Sequence, residues 1–277
     1  MLNLLRAEFY KLKKSRGILI GLLVAACLAL LLYGSLSLID KINRGELANG
    51  TRGVMVYQNG ESLEMGRAES MMEQVGVAGV LQQMFSGHFV GLILAVLVNM
   101  FVIREFSSGA VKNLVGKGYS RASIFLTKMI AVITLTLLFQ IAVTIVTLSM
   151  GVPFMGEVFF AADWREVAAY AGFQFMFGVV AAVIFMVIGE LTRNLAAGIA
   201  VSIGVLIFST TLTEVLDLVF HGINFQPSRY WVLDLAASCP VTGISSEFLI
   251  RGVLVSLIWL LLTAVLGVIH FQKADVK

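Results

Sequence analysis

Charge is what this sequence has least of. Asp, Glu, Lys and Arg make up 13% of 277 residues, while hydrophobic residues reach 58% and mean hydropathy is +0.92. A soluble domain carries about 25% charged residues. A water-soluble globule of this composition would expose apolar patches larger than soluble monomers tolerate. An ordinary soluble enzyme and a disordered chain are thereby excluded, and a net charge of +3 is too small for nucleic acid as a partner. Cysteine is scarce as well: Cys27 and Cys239 supply neither a disulfide framework nor a zinc site. They fall at different depths, so no pairing within the chain is expected. Catalytic signatures are missing. There is no HExxH, no GxSxG and no paired aspartates in the later apolar segments, which argues against an intramembrane hydrolase. Gly116-Lys117-Gly118 comes nearest to a phosphate-binding loop, but lacks the Ser or Thr after lysine and the glycine five positions before. The chain is therefore expected to hydrolyse no ATP by itself, to hold no metal and to bind no cofactor.

What is present is length and apolarity. Six segments suffice to cross a bilayer, which takes about 20 residues: 18–39, 85–103, 129–150, 167–189, 195–219 and 253–269. Such runs exceed any strand and lack the alternation of an outer-membrane barrel. Helices are the other way to satisfy the backbone in lipid. The fold expected is an all-α membrane protein, one transmembrane domain over 1–277 with six transmembrane helices. Lys and Arg orient it. Seven of the 20 (Lys41, Arg44, Arg52, Arg67, Arg165, Arg229, Arg251) fall on one side and 13 on the other; only four of 17 acids (Glu8, Glu105, Glu190, Asp275) accompany the 13. The positive-inside rule then puts both termini in the cytoplasm. The first apolar run is about twice the usual signal-peptide core, so it reads as a retained span.

Two outward loops are long. In the extracellular loop 40–84, residues 60–76 place Leu63, Met65, Ala68, Met72 and Val75 near helical spacing, as in a short surface helix, and Asn49-Gly50-Thr51 matches a glycosylation sequon. In the extracellular loop 221–251, Tyr230 and Trp231 beside Leu233 and Leu235 read as interfacial aromatics or as a dip back into the membrane. Inside the spans, polar residues are few: His88, Asn99, Gln140 and Gln174, with Glu190 and His270 at cytoplasmic ends and Glu214 and Asp217 near an outer end. Gln140 and Gln174 suit hydrogen bonds between helices, and Gly198, Ser202 and Gly204 suit close helix approach. Ion-coupled transporters use carboxylates or broken helices near the midplane, and such carboxylates are lacking here.

The polar interest is cytoplasmic. In the loop 104–128, Ala110, Val111, Leu114 and Val115 form an apolar stripe between Lys112 and Lys117. Gly116 and Gly118 stop that helix, and Ser120 suits the N-cap of the next. The stretch fits either a solvated interfacial loop or an element docking into a partner's groove. In residues 1–16, Leu2, Leu5, Phe9 and Leu12 share a face while Lys11, Lys13, Lys14 and Arg16 gather toward the bilayer, as in an amphipathic helix among lipid headgroups.

These features together resemble a permease subunit of the type-2 ABC transporter family, of the small bacterial six-span kind without a fused ATPase. Such permeases open with an elbow helix of the pattern seen in Leu4-Leu5-Arg6-Ala7-Glu8-Phe9-Tyr10-Lys11-Leu12-Lys13-Lys14. After the second span they carry a glutamate, a glycine, a Lys/Asn-Leu helix and a Ser-Arg pair leading to lysine, matched by Glu105, Gly109, Lys112-Asn113-Leu114, Ser120-Arg121 and Lys128. Ala110 departs from the family's usual Thr. The resemblance implies two permease chains, identical or homologous, in a bacterial cytoplasmic membrane above a dimer of separate ATP-binding subunits that hold ATP and Mg. It implies that a coupling helix from Glu105 to Lys117 sits in an ATPase groove. Glu105, Gly109, Lys112, Leu114, Lys117 and Arg121 would then serve coupling, and Glu8, Phe9 and Lys11 would position the elbow. Replacing Glu105 or Arg121 with Ala would uncouple ATP turnover. Export of an amphipathic or peptide-like substrate is the function so implied. The alternatives are a non-transporting immunity or sensory protein that binds peptide, and an ion-coupled secondary transporter.

Overall fold

A backbone in hydrocarbon must satisfy its own polar groups, and the apolar runs of this chain accordingly close into helices. The computed structural model describes residues 2–43, 57–58, 61–62, 71–86, 88–107, 109–221 and 225–273. Five of its helices are long and apolar enough to cross a membrane: α2 (Arg16–Asn43), α6 (Arg121–Met155), α8 (Trp164–Thr192), α9 (Leu195–Val219) and α11 (Ser246–Lys273). A bent helix pair would make a sixth if it counts as one span. α3 (Met71–Ser86) and α4 (Phe89–Ser107) meet at a 41° bend, and only together do they pass for a span. Shorter pieces are α1 (Leu2–Lys14), α5 (Ala110–Gly116), α7 (Glu157–Phe160) and α10 (Val232–Ala237). A two-residue antiparallel pair joins β1 (Tyr57–Gln58) to β2 (Glu61–Ser62).

The bend revises the expected second span. Phe85 belongs to α3, and the break falls at His88, whose φ of 68° is costly for any residue with a Cβ. α3 itself is interrupted at Gly76 (φ 59°, ψ 179°), and its second part packs on α2, α4 and α6. Part of the 40–84 loop is thus a helix of the bundle. The expected surface helix over 60–76 falls largely, and the sequon at Asn49 wholly, outside the described residues.

α8 is the hub. α4, α6, α9, α10 and α11 all pack on it, and 56% of its apolar window is buried against 17% for α9. The faces of α2, α9 and α11 carry Leu23, Leu31, Phe208, Leu218, Leu257 and Leu261 outward, a disposition suited to lipid. The end of the bundle holding α1 and α5 gathers the starts of α2, α6 and α9 and the ends of α4, α8 and α11. We call it the basic end and the opposite one the acidic end. Arg121 at the start of α6 donates to the carbonyl of Gln272 at the end of α11 (2.9 Å). Leu12 of α1 packs with Ala131 and Leu135 of α6.

At the acidic end the 221–251 segment folds back among the helices. Val232, Leu233, Leu235 and Cys239 are buried, and Trp231 stacks edge-on to Trp259 with centroids 4.7 Å apart. Its indole N–H donates to Ser209 (2.9 Å), and Trp259 donates to the carbonyl of Tyr230 (2.8 Å). Gln174 of α8 donates to the carbonyl of Ala236 (2.8 Å). Gln174 lies ten residues into α8, so at ~1.5 Å per residue α10 reaches about 15 Å along the bundle. Both indoles thus hold this segment to α9 and α11.

Candidate functional site

Four helices converge at the basic end, and each brings an ionisable side chain. Lys11 Nζ lies 2.9 Å from Glu8 Oε1 and 2.5 Å from Glu105 Oε1. Lys128 Nζ lies 3.2 Å from Glu105 Oε2 and 3.7 Å from Glu190 Oε1. Glu105 therefore holds a lysine on each oxygen and ties α1, α4, α6 and α8 together. Lys128 also faces the Phe271 ring of α11 (5.9 Å). Glu8, Glu105, Lys128 and Glu190 are at most 5% exposed. Charges so enclosed persist only when paired, and removing one partner strands the rest. Burial, then the neighbouring Glu105, pushes the Glu8 carboxyl up from its ordinary pKa, against Lys11. Burial works to lower the Lys11 ammonium, but its bonds to Glu105 and Glu8 outweigh that and raise it.

The face α1 buries is not the expected one. Leu4, Glu8 and Leu12, at i, i+4 and i+8, are enclosed, while Leu5 is only half-buried and Phe9 is 41% exposed. The acid points inward beside Glu105, with Lys11 of the same helix as its counter-charge, and Phe9 is left exposed. Of the expected site residues, Glu8, Lys11 and Glu105 meet in one cluster. Arg121 instead faces α11.

Next to this cluster stands the connector. α4 runs through Glu105 to Ser107, and the chain then turns at Gly109, whose φ of +68° suits glycine. The expected single helix from Glu105 to Lys117 is thus divided, and only α5 forms its second half. Val111 of α5 is buried, Leu114 and Val115 are half-buried, and Lys112, Asn113 and Lys117 are exposed. α5 ends as expected at Gly116, with Gly118 at φ +83°, and Ser120 caps α6 by accepting from the Ser123 N–H (3.2 Å).

Lys128 and Glu190 escaped the sequence reading as site residues. The signal was available. On a side carrying 13 cations only four acids occur, and the three among described residues, Glu8, Glu105 and Glu190, are all in the cluster. All three are buried, together with Lys128.

A second site lies at the acidic end. A cavity of about 630 Å³ is lined by Glu214 and Asp217 of α9, Asp234 of α10, His88, Arg229 and Arg251. The Thr213 hydroxyl donates to Asp234, and the Ser228 N–H donates to Asp217 (3.1 Å). Burial pushes Asp234 up to about 6, against the Thr213 hydrogen bond and with the help of Asp217 and Glu214. His88 also borders an inner cavity of about 50 Å³ containing Gln140 and Gln174. Gln140 donates to the Gln174 carbonyl (3.1 Å), and a Cβ at Gly178 would lie 2.0 Å from its amide nitrogen. The hydrogen bonds expected of these two glutamines are therefore made. Gly198 and Ser202 are buried as close approach requires, the latter accepting from Asn99 (2.9 Å), but nothing lies near Gly204. Cys27 is exposed and Cys239 buried, both as free thiols. Among the described residues no His, Cys, Asp and Glu group is arranged to hold a metal ion.

No curated protein matches this chain. Residues 23–277 match the model of a family described as "Protein of unknown function (DUF2705)", and the chain belongs to that family.

Proposed function

We propose that this protein is the membrane-spanning permease subunit of an ATP-binding-cassette exporter, with ATP hydrolysis in a separate ATPase dimer and a second permease copy or homologue beside it. In this reading the bent α3–α4 pair is the sixth span, both termini and the basic end face the bacterial cytoplasm, and the substrate is amphipathic or peptide-like. The observation that carries it is the placement of Glu105. It sits in the last turns of α4, immediately before α5, and is bonded to lysines of α1 and α6. A pull on α5 is therefore transmitted to several helices at once, which is what a lever between an ATPase and a transport path requires. The exposed Lys112, Asn113 and Lys117 are the groups an acidic groove would grip. Glu105 is too enclosed to touch a partner and acts in this reading as the pin of the lever.

The test is co-purification of the tagged chain with an ABC-type ATPase, followed by ATP turnover in reconstituted vesicles. Lys112→Glu with Lys117→Glu is expected to abolish stimulated turnover while leaving the chain folded. No associated ATPase, or stimulated turnover unchanged by the double variant, would overturn the reading. A second reading, a non-transporting protein that binds peptide, draws on the cavity at the acidic end, where Glu214, Asp217 and Asp234 stand with Arg229 and Arg251. It expects peptide binding at that end without any dependence on ATP.

A further inference from the structure

Beside the charge cluster lies a groove of about 500 Å³ between α1, the start of α2 and the end of α4. Its floor is apolar, made by Ile18, Leu97, Met100, Phe101 and Leu135. Its rim carries three cations, Lys11, Lys14 and Arg104, against the single carboxylate of Glu105. Tyr10 stands at the mouth, 66% exposed, with an apolar ring and a polar tip. The volume is within the range of about 300–1,000 Å³ typical of ligand sites. The two halves of the lining ask for different chemistry in one molecule. An apolar floor accepts hydrocarbon, while cations at the edge accept a phosphate.

We infer that this groove binds one anionic phospholipid, with an acyl chain on the Leu97–Phe101 floor and the phosphate at Lys14 and Arg104. A zwitterionic lipid brings an ammonium group that the basic rim opposes, and a free phosphate leaves the floor uncovered. Lys11 and Glu105 line both the groove and the charge cluster, so the occupant sits against the residues that join α1 to α4. The site requires only that the chain lie in a bilayer and stands independently of the exporter reading.

The test uses the full chain, purified in detergent and presented with phosphatidylglycerol or phosphatidylcholine, with retained lipid counted by native mass spectrometry. One phosphatidylglycerol per chain is expected, held about tenfold more tightly than phosphatidylcholine. Lys14→Glu with Arg104→Glu, both at exposed positions, removes the preference; Lys14→Gln weakens it in the same direction without reversing charge. Met100→Trp, which fills the floor, lowers retention of both lipids. Equal retention of the two lipids by the unaltered chain would overturn the assignment. So would a preference that survives the charge variants, or release of the lipid by millimolar inorganic phosphate alone.

Discussion

At the basic end Glu8, Glu105, Lys128 and Glu190 are buried against one another, with Lys11 half-open at the groove; at the acidic end the charged groups line a cavity of about 630 Å³. Both ends hold three carboxylates within reach of basic groups. The difference is what surrounds them. Glu105 and Glu190 have lysines and packed helices for neighbours, whereas Glu214 is exposed and Asp217 and Asp234 are partly so. A charge that water can reach is replaceable; one that only another charge can reach is not. Substitution is therefore expected to cost more at the basic end than at the acidic end. Under the proposed function, that is the distribution expected of a grip at one end and an opening at the other.

The comparison can be broken by substitutions ranked by cost. Lys128→Met strands Glu105 and Glu190 and is expected to lower stability by about 3–5 kcal/mol, read as thermal unfolding in detergent. Adding Glu190→Gln should recover part of that loss; strictly additive losses would mean the cluster is not a unit. Gly178→Ala, between the two ends, drives a methyl into Gln140 and should cost about 1–3 kcal/mol. A cost near zero would show that Gln140 turns aside freely. Asp234→Asn tests the acidic end. Because the folded pKa is raised from 3.8 to about 6, the ionised form is disfavoured in the fold. The stability it contributes is full below pH 3.8 and is lost as pH rises through 6. The Asn variant should therefore flatten the stability–pH curve between about pH 4 and 6 and gain no more than about 1 kcal/mol at neutral pH, since solvent screens this half-exposed group. Smallest of all, Glu247→Gln breaks a surface pair with Arg251 (3.1 Å, Glu247 80% exposed) and should change stability by less than about 0.5 kcal/mol.

Much of the helical layout was legible because hydrocarbon leaves the backbone few options. Five long helices, the amphipathic α1, the α5 stop at Gly116 and the Ser120 cap all follow from composition and local chemistry. Two things were not legible. The break at His88 is one: Ser86-Gly87-His88 interrupts the apolar run, but a glycine within such a run does not by itself say whether a helix bends or continues. The inward turn of Glu8 is another, since on a helical wheel Leu5 and Phe9 make the better apolar face. Its counter-charge, Lys11 of the same helix, is drawn inward by Glu105 of α4. Long-range pairing of this kind leaves no periodic trace, although the rarity of acids on the basic side was a clue.

The most direct measurement is photo-crosslinking from the exposed Asn113 of α5 in intact cells, with a probe at the outward-facing Phe208 of α9 as the control. The account predicts a nucleotide-dependent adduct with an ABC-type ATPase from Asn113 and none from Phe208. Adducts of Asn113 with no such ATPase in any nucleotide state would contradict it.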